Sequence, residues 1–366
     1  MKIYKTYYLL PAIDVAKYLY KKLPSKWQGA IYKRHLLKRI KHRQLPSVYL
    51  ETTSACNLNC VMCPTQRTVV KKFKKDGFMD VILFRRLIDE IASENPRISV
   101  FIHKDGEPLL HPEIVDFIYY ASSRLKNVTL VTNATLLDEE MDRAILSTQL
   151  QNIRFSVDGF NKHTFEKIRK QSLDNPYADH AVSVDYESIV SNIKRFCELK
   201  KNLGKHLPRV GVRITSFKAT QQELSDFTSY WKRWVDFIEI AELLSWSGQV
   251  TQENCDDSQR FPCSSLWGHT AINWDGTMVP CCTYIDTTGN GKGVLADLNT
   301  SSLREAWFSS TIQHLRMAHL DNDLEKMAPF CKLCRDWRSS FPDGRIVWSE
   351  KFRACMRSEI KKMIND

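Results

Sequence analysis

The chain has 366 residues, 43% hydrophobic and 11% aromatic, which is enough for one large domain or two and excludes a disordered polymer. No apolar run reaches the roughly 20 residues that span a bilayer, and no signal-peptide pattern is visible, so a cytoplasmic protein is expected. In that compartment eleven cysteines point to metal or redox chemistry rather than to disulfides.

The net charge of +11 arises in residues 1–45, where twelve Lys or Arg face one acid, Asp14. The rest of the 53 basic and 42 acidic residues balances at 41 of each sign. Two short helices are predicted in this basic segment, Ile13–Lys22 and Ala30–Arg43, interleaved with Tyr and Trp. Such a segment suits a solvated extension packed on the domain, an anionic membrane surface, or nucleic acid. No specific nucleic-acid binding is expected, and contact at the membrane periphery is the functional alternative to a packed extension.

From residue 46 strands and helices alternate. "SVYLE" (47–51) reads as a strand, followed by helix 80–94 and strand 97–103, helix 112–126 and strand 127–133, then helix 138–147 and strand 152–158. Residues 171–185 lack periodicity and read as a loop over the site. Helix 186–202 precedes strand 209–215, and helix 221–234 precedes strand 237–243. Six strands alternating with helices are the pattern of a parallel α/β sheet or barrel, whose chemistry collects at the C-terminal strand ends. After residue 248 the chain becomes rich in Gly and Cys, with one convincing helix, 302–320. The predicted divisions are a basic extension (1–45), an α/β core (46–247), a small cysteine-organised domain (248–345) and a helical tail (346–366).

Directly after the first strand, "CNLNCVMC" places Cys56, Cys60 and Cys63 in a C-x3-C-x2-C triplet. Three thiolates can hold three irons of a four-iron cluster and leave the fourth open to an exchangeable ligand. A zinc ion would need a fourth ligand, for which His103 or His111 is available. The triplet, together with "DGEPLLHP" (105–112), "VTNATLL" (131–137) and "FSVDG" (155–159), resembles the radical S-adenosylmethionine enzymes over residues 47–245. The resemblance implies a partial (β/α)6 barrel, a [4Fe-4S] cluster on Cys56, Cys60 and Cys63, and S-adenosylmethionine as cofactor. It also implies cofactor contacts from Met62, Gly106, Glu107, Asn133, Ser156 and Asp158. Taken singly, Gly106 reads equally well as a turn glycine, and Ser156 or Asp158 as a helix cap. Three positions depart from the family's usual residues: Asp105 and Ala134 where Gly is common, and Met62 where an aromatic is frequent.

A second set is Cys263, Cys281, Cys331 and Cys334, in which C-x12-G-x4-C spans a predicted hairpin turning at Asp275-Gly276, and "CKLC" closes the set. Four sulfurs saturate either zinc or a four-iron cluster. The arrangement resembles the SPASM/twitch auxiliary-cluster domain, which implies one fully ligated [4Fe-4S] cluster that moves electrons or braces the fold. Cys282 is expected to point away, and Cys197, Cys255 and Cys355 to be ordinary thiols.

The expected function is therefore a radical enzyme of oxidoreductase type. Reductive cleavage of S-adenosylmethionine would give a 5′-deoxyadenosyl radical that takes hydrogen from a small polar substrate, such as a sugar or cyclitol. Flavodoxin or ferredoxin would be the electron donor. No residue completing the substrate chemistry is assigned from sequence. A peptide-modifying or sulfatase-type maturase, and a non-enzymatic iron–sulfur or zinc protein, are the alternatives.

Overall fold

A computed structural model describes residues 5–8, 23–65, 75–170, 185–250, 260–286, 291, 293–339 and 347–365. The predicted helix 13–22, the loop 171–184 and Cys255 lie outside the described residues. The chain divides into two compact units, one of residues 1–9, 48–243 and 272–276, the other of residues 10–47, 244–271 and 277–366.

In the first unit, six strands run parallel: β2 (Ser47–Leu50), β3 (Val100–Ile102), β4 (Val128–Thr132), β5 (Asn152–Ser156), β6 (Arg209–Ser216) and β7 (Phe237–Glu242). They pair in sequence order, and an unforeseen short strand, β1 (Lys5–Tyr8), adds antiparallel to β7. The helices between the strands include α2 (Val81–Glu94), α3 (Ile114–Arg124), α4 (Glu139–Ser147), α5 (Lys162–Ile168), α6 (Tyr186–Asn202) and α7 (Leu224–Trp231). This is the parallel α/β architecture that the alternation predicts.

Local chemistry explains where the helices start. Asp80, Asp138 and Asp185 each accept a backbone N–H at the start of α2, α4 and α6. The strands supply the core, with Leu50, Val100, Ile102, Leu130, Ile153, Phe155 and Val212 fully buried. Short α5 was not foreseen, because a seven-residue helix carries less than two turns of apolar periodicity.

The second unit contains α1 (Ser25–Lys41), α8 (Ser265–Gly268), strands β8 (His269–Ile272), β9 (Thr277–Val279) and β10 (Ala296–Asp297), then α9 (Leu303–Phe308), α10 (Ser310–Asp321), α11 (Pro329–Leu333) and α12 (Glu350–Asn365). Strands β8 and β9 form the predicted hairpin, with Gly276 at φ 89° closing its turn. The single helix expected over 302–320 is two, because Ser309 is extended (φ −58°, ψ 156°) between α9 and α10. The basic helix α1 is packed rather than solvated all round. Its Leu36 and Ile40 join Trp267, Trp348, Phe352, Met356 and Ile360 in one buried cluster, against which Cys263 and Cys331 also pack.

Candidate functional site

The triplet loop leaves β2 and is clamped from several sides. The Thr53 hydroxyl donates to Gly77 O (2.7 Å), and Met79 N donates to Thr52 O (2.8 Å). Farther along, Asn59 N donates to Lys170 O (2.6 Å) and Val61 N to Ile168 O (2.9 Å). Asn57 is wholly buried, donates to the Thr135 hydroxyl (2.8 Å) and accepts from Asn133 Nδ2 (2.9 Å). The loop that carries the cysteines is thereby tied to the ends of β4 and α5.

Within this frame the three thiols are half-buried and close enough to act on one another. Burial pushes the Cys56 thiol far up, and the neighbouring Cys60 and Glu107 add to it. Burial pushes Cys60 up to about 12, opposed by the Arg169 guanidinium. Burial raises Cys63 as well, while the Thr65 hydroxyl, 2.9 Å from its sulfur, holds it down. Three crowded, desolvated thiols are poor acids alone and good ligands once cationic metal neutralises them. That donor set fits three corners of an iron–sulfur cluster.

Gly106 lies against this loop. A Cβ built there would stand 2.2 Å from Thr53 O and 2.5 Å from Ala55 O, so the main chain itself requires glycine. Next to it, buried Glu107 accepts from Asn133 N (2.7 Å), the Thr132 hydroxyl (2.5 Å) and Leu109 N (3.1 Å), joining the end of β3 to that of β4. Burial still raises its carboxyl to about 6. Asp158 is equally committed: Oδ2 accepts from Arg169 Nε (3.1 Å) and Nη2 (2.5 Å), and Oδ1 from Thr215 N (2.6 Å). Ser156 and Met62 are half-buried.

The structure thus gathers Cys56, Cys60, Cys63, Gly106, Glu107, Asn133 and Asp158 at the C-terminal strand ends. The carboxylates of Glu107 and Asp158 are spent on protein donors. Sequence reading missed Asn57, Thr65 and Arg169, since nothing in their local patterns marks them. His111, weighed as a zinc ligand, has both nitrogens engaged, Nδ1 by Glu113 N (3.1 Å) and Nε2 by Met79 O (3.0 Å).

The second set converges in the other unit. Cys263 precedes α8, Cys281 follows β9, Cys331 lies in α11 and Cys334 ends it. Burial pushes Cys331 far up, with Cys281, Cys263 and Cys334 adding to it, so the four stand within electrostatic reach of one another. Burial likewise raises Cys281 to about 11. Cys334 sulfur receives Asp336 N (3.4 Å) and the Ser245 hydroxyl (3.6 Å). Arg260 binds the carbonyls of Cys331 (2.6 Å), Lys332 (3.4 Å) and Cys334 (3.5 Å), fixing the closing turn. Cys282 sulfur is turned to His269 Nε2 at 3.9 Å. Cys197 and Cys355 are half-buried on α6 and α12.

A parallel α/β unit with three half-buried, clustered thiols at the first strand end, and a separate four-cysteine set, define an iron–sulfur enzyme with an auxiliary centre. The Radical SAM superfamily model matches residues 50–198, and the SPASM iron–sulfur cluster-binding domain model matches residues 263–335. The chain belongs to the radical SAM superfamily and carries a C-terminal SPASM domain. It is an enzyme whose cofactors are a [4Fe-4S] cluster, S-adenosylmethionine and auxiliary iron–sulfur. A curated relative, the tungsten-containing aldehyde ferredoxin oxidoreductase cofactor-modifying protein of Pyrococcus furiosus, is 24% identical over 365 residues, 84% of this chain and 96% of its own. The structure of BtrN in complex with AdoMet and 2-DOIA shares the fold at TM-score 0.54 and 16% identity, over 84% of this chain and 96% of that one. Native anSMEcpe with bound AdoMet matches at TM-score 0.55 and 17% identity, over 87% and 96%.

Proposed function

We propose that this enzyme abstracts hydrogen from a small polar substrate, oxidising or epimerising a sugar- or cyclitol-like molecule. The single observation that carries the catalytic reading is the three-thiol loop at the end of β2, half-buried and clamped on several sides. Cys56, Cys60 and Cys63 would hold three irons, leaving the fourth for the amine and carboxylate of S-adenosylmethionine. When bound, the reduced cluster supplies the electron that cleaves S-adenosylmethionine to a 5′-deoxyadenosyl radical, which takes the substrate hydrogen.

The chain's own residues position this chemistry. Gly106 lets its backbone segment lie flat on the cysteine loop, and Glu107 holds that segment to β4. Asn133 fixes the loop through Asn57. Arg169, paired with Asp158, places positive charge beside Cys60 and favours its thiolate. Met62 and Ser156, half-buried, are the groups of the predicted set that remain available to a ligand. Cys263, Cys281, Cys331 and Cys334 would hold the auxiliary cluster as an electron carrier, fed or drained by a flavodoxin- or ferredoxin-type partner.

The test is anaerobic reconstitution. About eight irons per chain and release of 5′-deoxyadenosine under strong reductant are expected. A zinc-loaded protein, or iron without cleavage, would overturn the reading. On the same enzyme, hydrogen abstraction from a short peptide but from no sugar would replace the small-molecule substrate with a peptide.

No helix among the described residues is long and apolar enough to cross a membrane. On α1, however, Trp27 and Ile31 are exposed beside Lys26, Lys33, Arg34, Lys38 and Lys41. We propose that this face meets an anionic membrane surface. Equal flotation of the full chain and Trp27→Ser on anionic liposomes would refute it.

A further inference from the structure

The eleven cysteines divide by the residue that stands two positions on. Ser or Thr stands there after Cys63, Cys263 and Cys281, all in the two sets read as cluster ligands, and after none of Cys197, Cys255, Cys282 and Cys355. The fold turns these hydroxyls to the sulfurs. Thr65 Oγ1 lies 2.9 Å from the Cys63 sulfur, and Thr283 Oγ1 lies 3.4 Å from that of Cys281. Burial raises the Cys263 thiol, while the Ser265 hydroxyl and backbone N–H hold it down.

Cys334 is followed by Asp336 instead, whose N–H donates to the sulfur at 3.4 Å. Here the hydroxyl arrives from elsewhere in the chain. Fully buried Ser245, 89 positions back, donates to the Cys334 sulfur at 3.6 Å and accepts Arg335 N at 3.0 Å. Ser245, Ser265 and Thr283 lie in the same compact unit as the four cysteines. Hydroxyls thus meet three of the four sulfurs of the second set.

A local turn accounts for a hydroxyl two residues on, since Ser and Thr readily bond to nearby main chain. It does not account for Ser245. A sulfur bound to iron carries no proton and can only accept, so the hydroxyls are the donors. Such bonds draw electron density from the sulfur, stabilise the reduced and more negative cluster, and raise its reduction potential. The charged neighbours offset one another: Asp336 and Arg260 act on Cys263 with opposite sign. The Asp336 carboxyl also meets the Ser245 and Thr283 hydroxyls, so those two protons are shared between sulfur and carboxyl.

We propose that Ser245, Ser265 and Thr283 are positioning residues whose hydroxyls donate to the sulfurs of Cys334, Cys263 and Cys281 and raise the reduction potential of the auxiliary centre. The inference rests on the reading of these cysteines as cluster ligands, and it says what sets the working potential of that cluster. Thr65 plays the same part for the triplet centre, through Cys63.

The test is a redox titration of the reconstituted full-length enzyme, followed by electron paramagnetic resonance. The auxiliary signal is the one lost when Cys331 and Cys334 are replaced with Ala. Ser265→Ala combined with Thr283→Val should keep the iron content and lower the auxiliary potential. At the wild-type midpoint the reduced-to-oxidised ratio should fall at least tenfold, a shift of about 59 mV. Ser245→Ala should move it in the same direction, and carries the comparison should the double variant not load iron. Ser265→Thr combined with Thr283→Ser, which keeps both hydroxyls, should stay at the wild-type value. Thr65→Val should lower the potential of the triplet centre and leave the auxiliary one in place. An auxiliary potential that does not fall in the iron-loaded variants would overturn the proposal. So would loss of iron from every hydroxyl-free variant, because the hydroxyls would then be structural. Zinc in place of iron at the second set of the wild type would instead refute the cluster reading on which the proposal rests.

Discussion

Gly106→Ala probes how the cysteine loop is held. The new Cβ would lie 2.2 Å from Thr53 O, 2.5 Å from Ala55 O and 2.8 Å from Thr53 C, all main-chain atoms. Ordinary contact needs them to retreat by about 1 Å. Neither carbonyl is free to do so cheaply. Thr53 is bound through its hydroxyl to Gly77 O, and Ala55 O accepts Glu107 N at 2.8 Å. Overpacking costs about 1–3 kcal/mol and a disrupted buried hydrogen bond about 1 more, so a loss of about 2–4 kcal/mol is expected. Because Cys56 follows Ala55 directly, the displacement reaches the first thiol. Urea denaturation of the metal-free chain measures the stability, and iron content after anaerobic reconstitution measures the site. Iron should fall toward the roughly four held by the auxiliary set. Wild-type stability together with wild-type iron would refute the argument that main-chain contact is what demands glycine.

Other outcomes follow from the same contacts. Ala134 sits at φ 64°, where a side chain costs about 1–2 kcal/mol, so Ala134→Gly should raise stability by about 1 kcal/mol in denaturant titration. Replacing Cys331 and Cys334 with Ala should leave about four irons per chain and abolish the auxiliary signal in electron paramagnetic resonance. Burial raises the Asp142 carboxyl from 3.8 to about 6, even with Arg195 Nε at 2.8 Å. The folded chain thus keeps a proton that the unfolded chain releases between pH 3.8 and 6. This group lowers stability as pH rises through that window, by up to about 3 kcal/mol, and Asp142→Asn should remove that slope from stability measured against pH.

Much of the fold was legible because its signals are local. Strand–helix alternation, aspartate caps and the Asp275-Gly276 turn each depend on residues a few positions apart, so a linear reading finds them. The triplet Cys56, Cys60 and Cys63 is local in the same sense. So is the break the sequence reading missed at Ser309, but there the apolar period continues across it, and only the extended backbone reveals two helices.

What the tertiary structure alone decided is the use of the polar residues. Glu107 and Asp158 stand in motifs that point to ligand contact, yet their oxygens are taken by protein donors, one of them 57 residues away. Asn57 and Asn133 meet across 76 positions, and Arg169 reaches Cys60 from a helix end that no spacing marks. The basic N-terminal stretch reads as an extension packed on the domain without saying against what, and the fold buries its Leu36 and Ile40 in the cluster that holds Phe352 and Met356. Apolar periodicity is written into neighbouring residues. A hydrogen-bond partner or a packing face is chosen by whichever distant strand or helix the fold brings alongside, and that choice exists only in three dimensions.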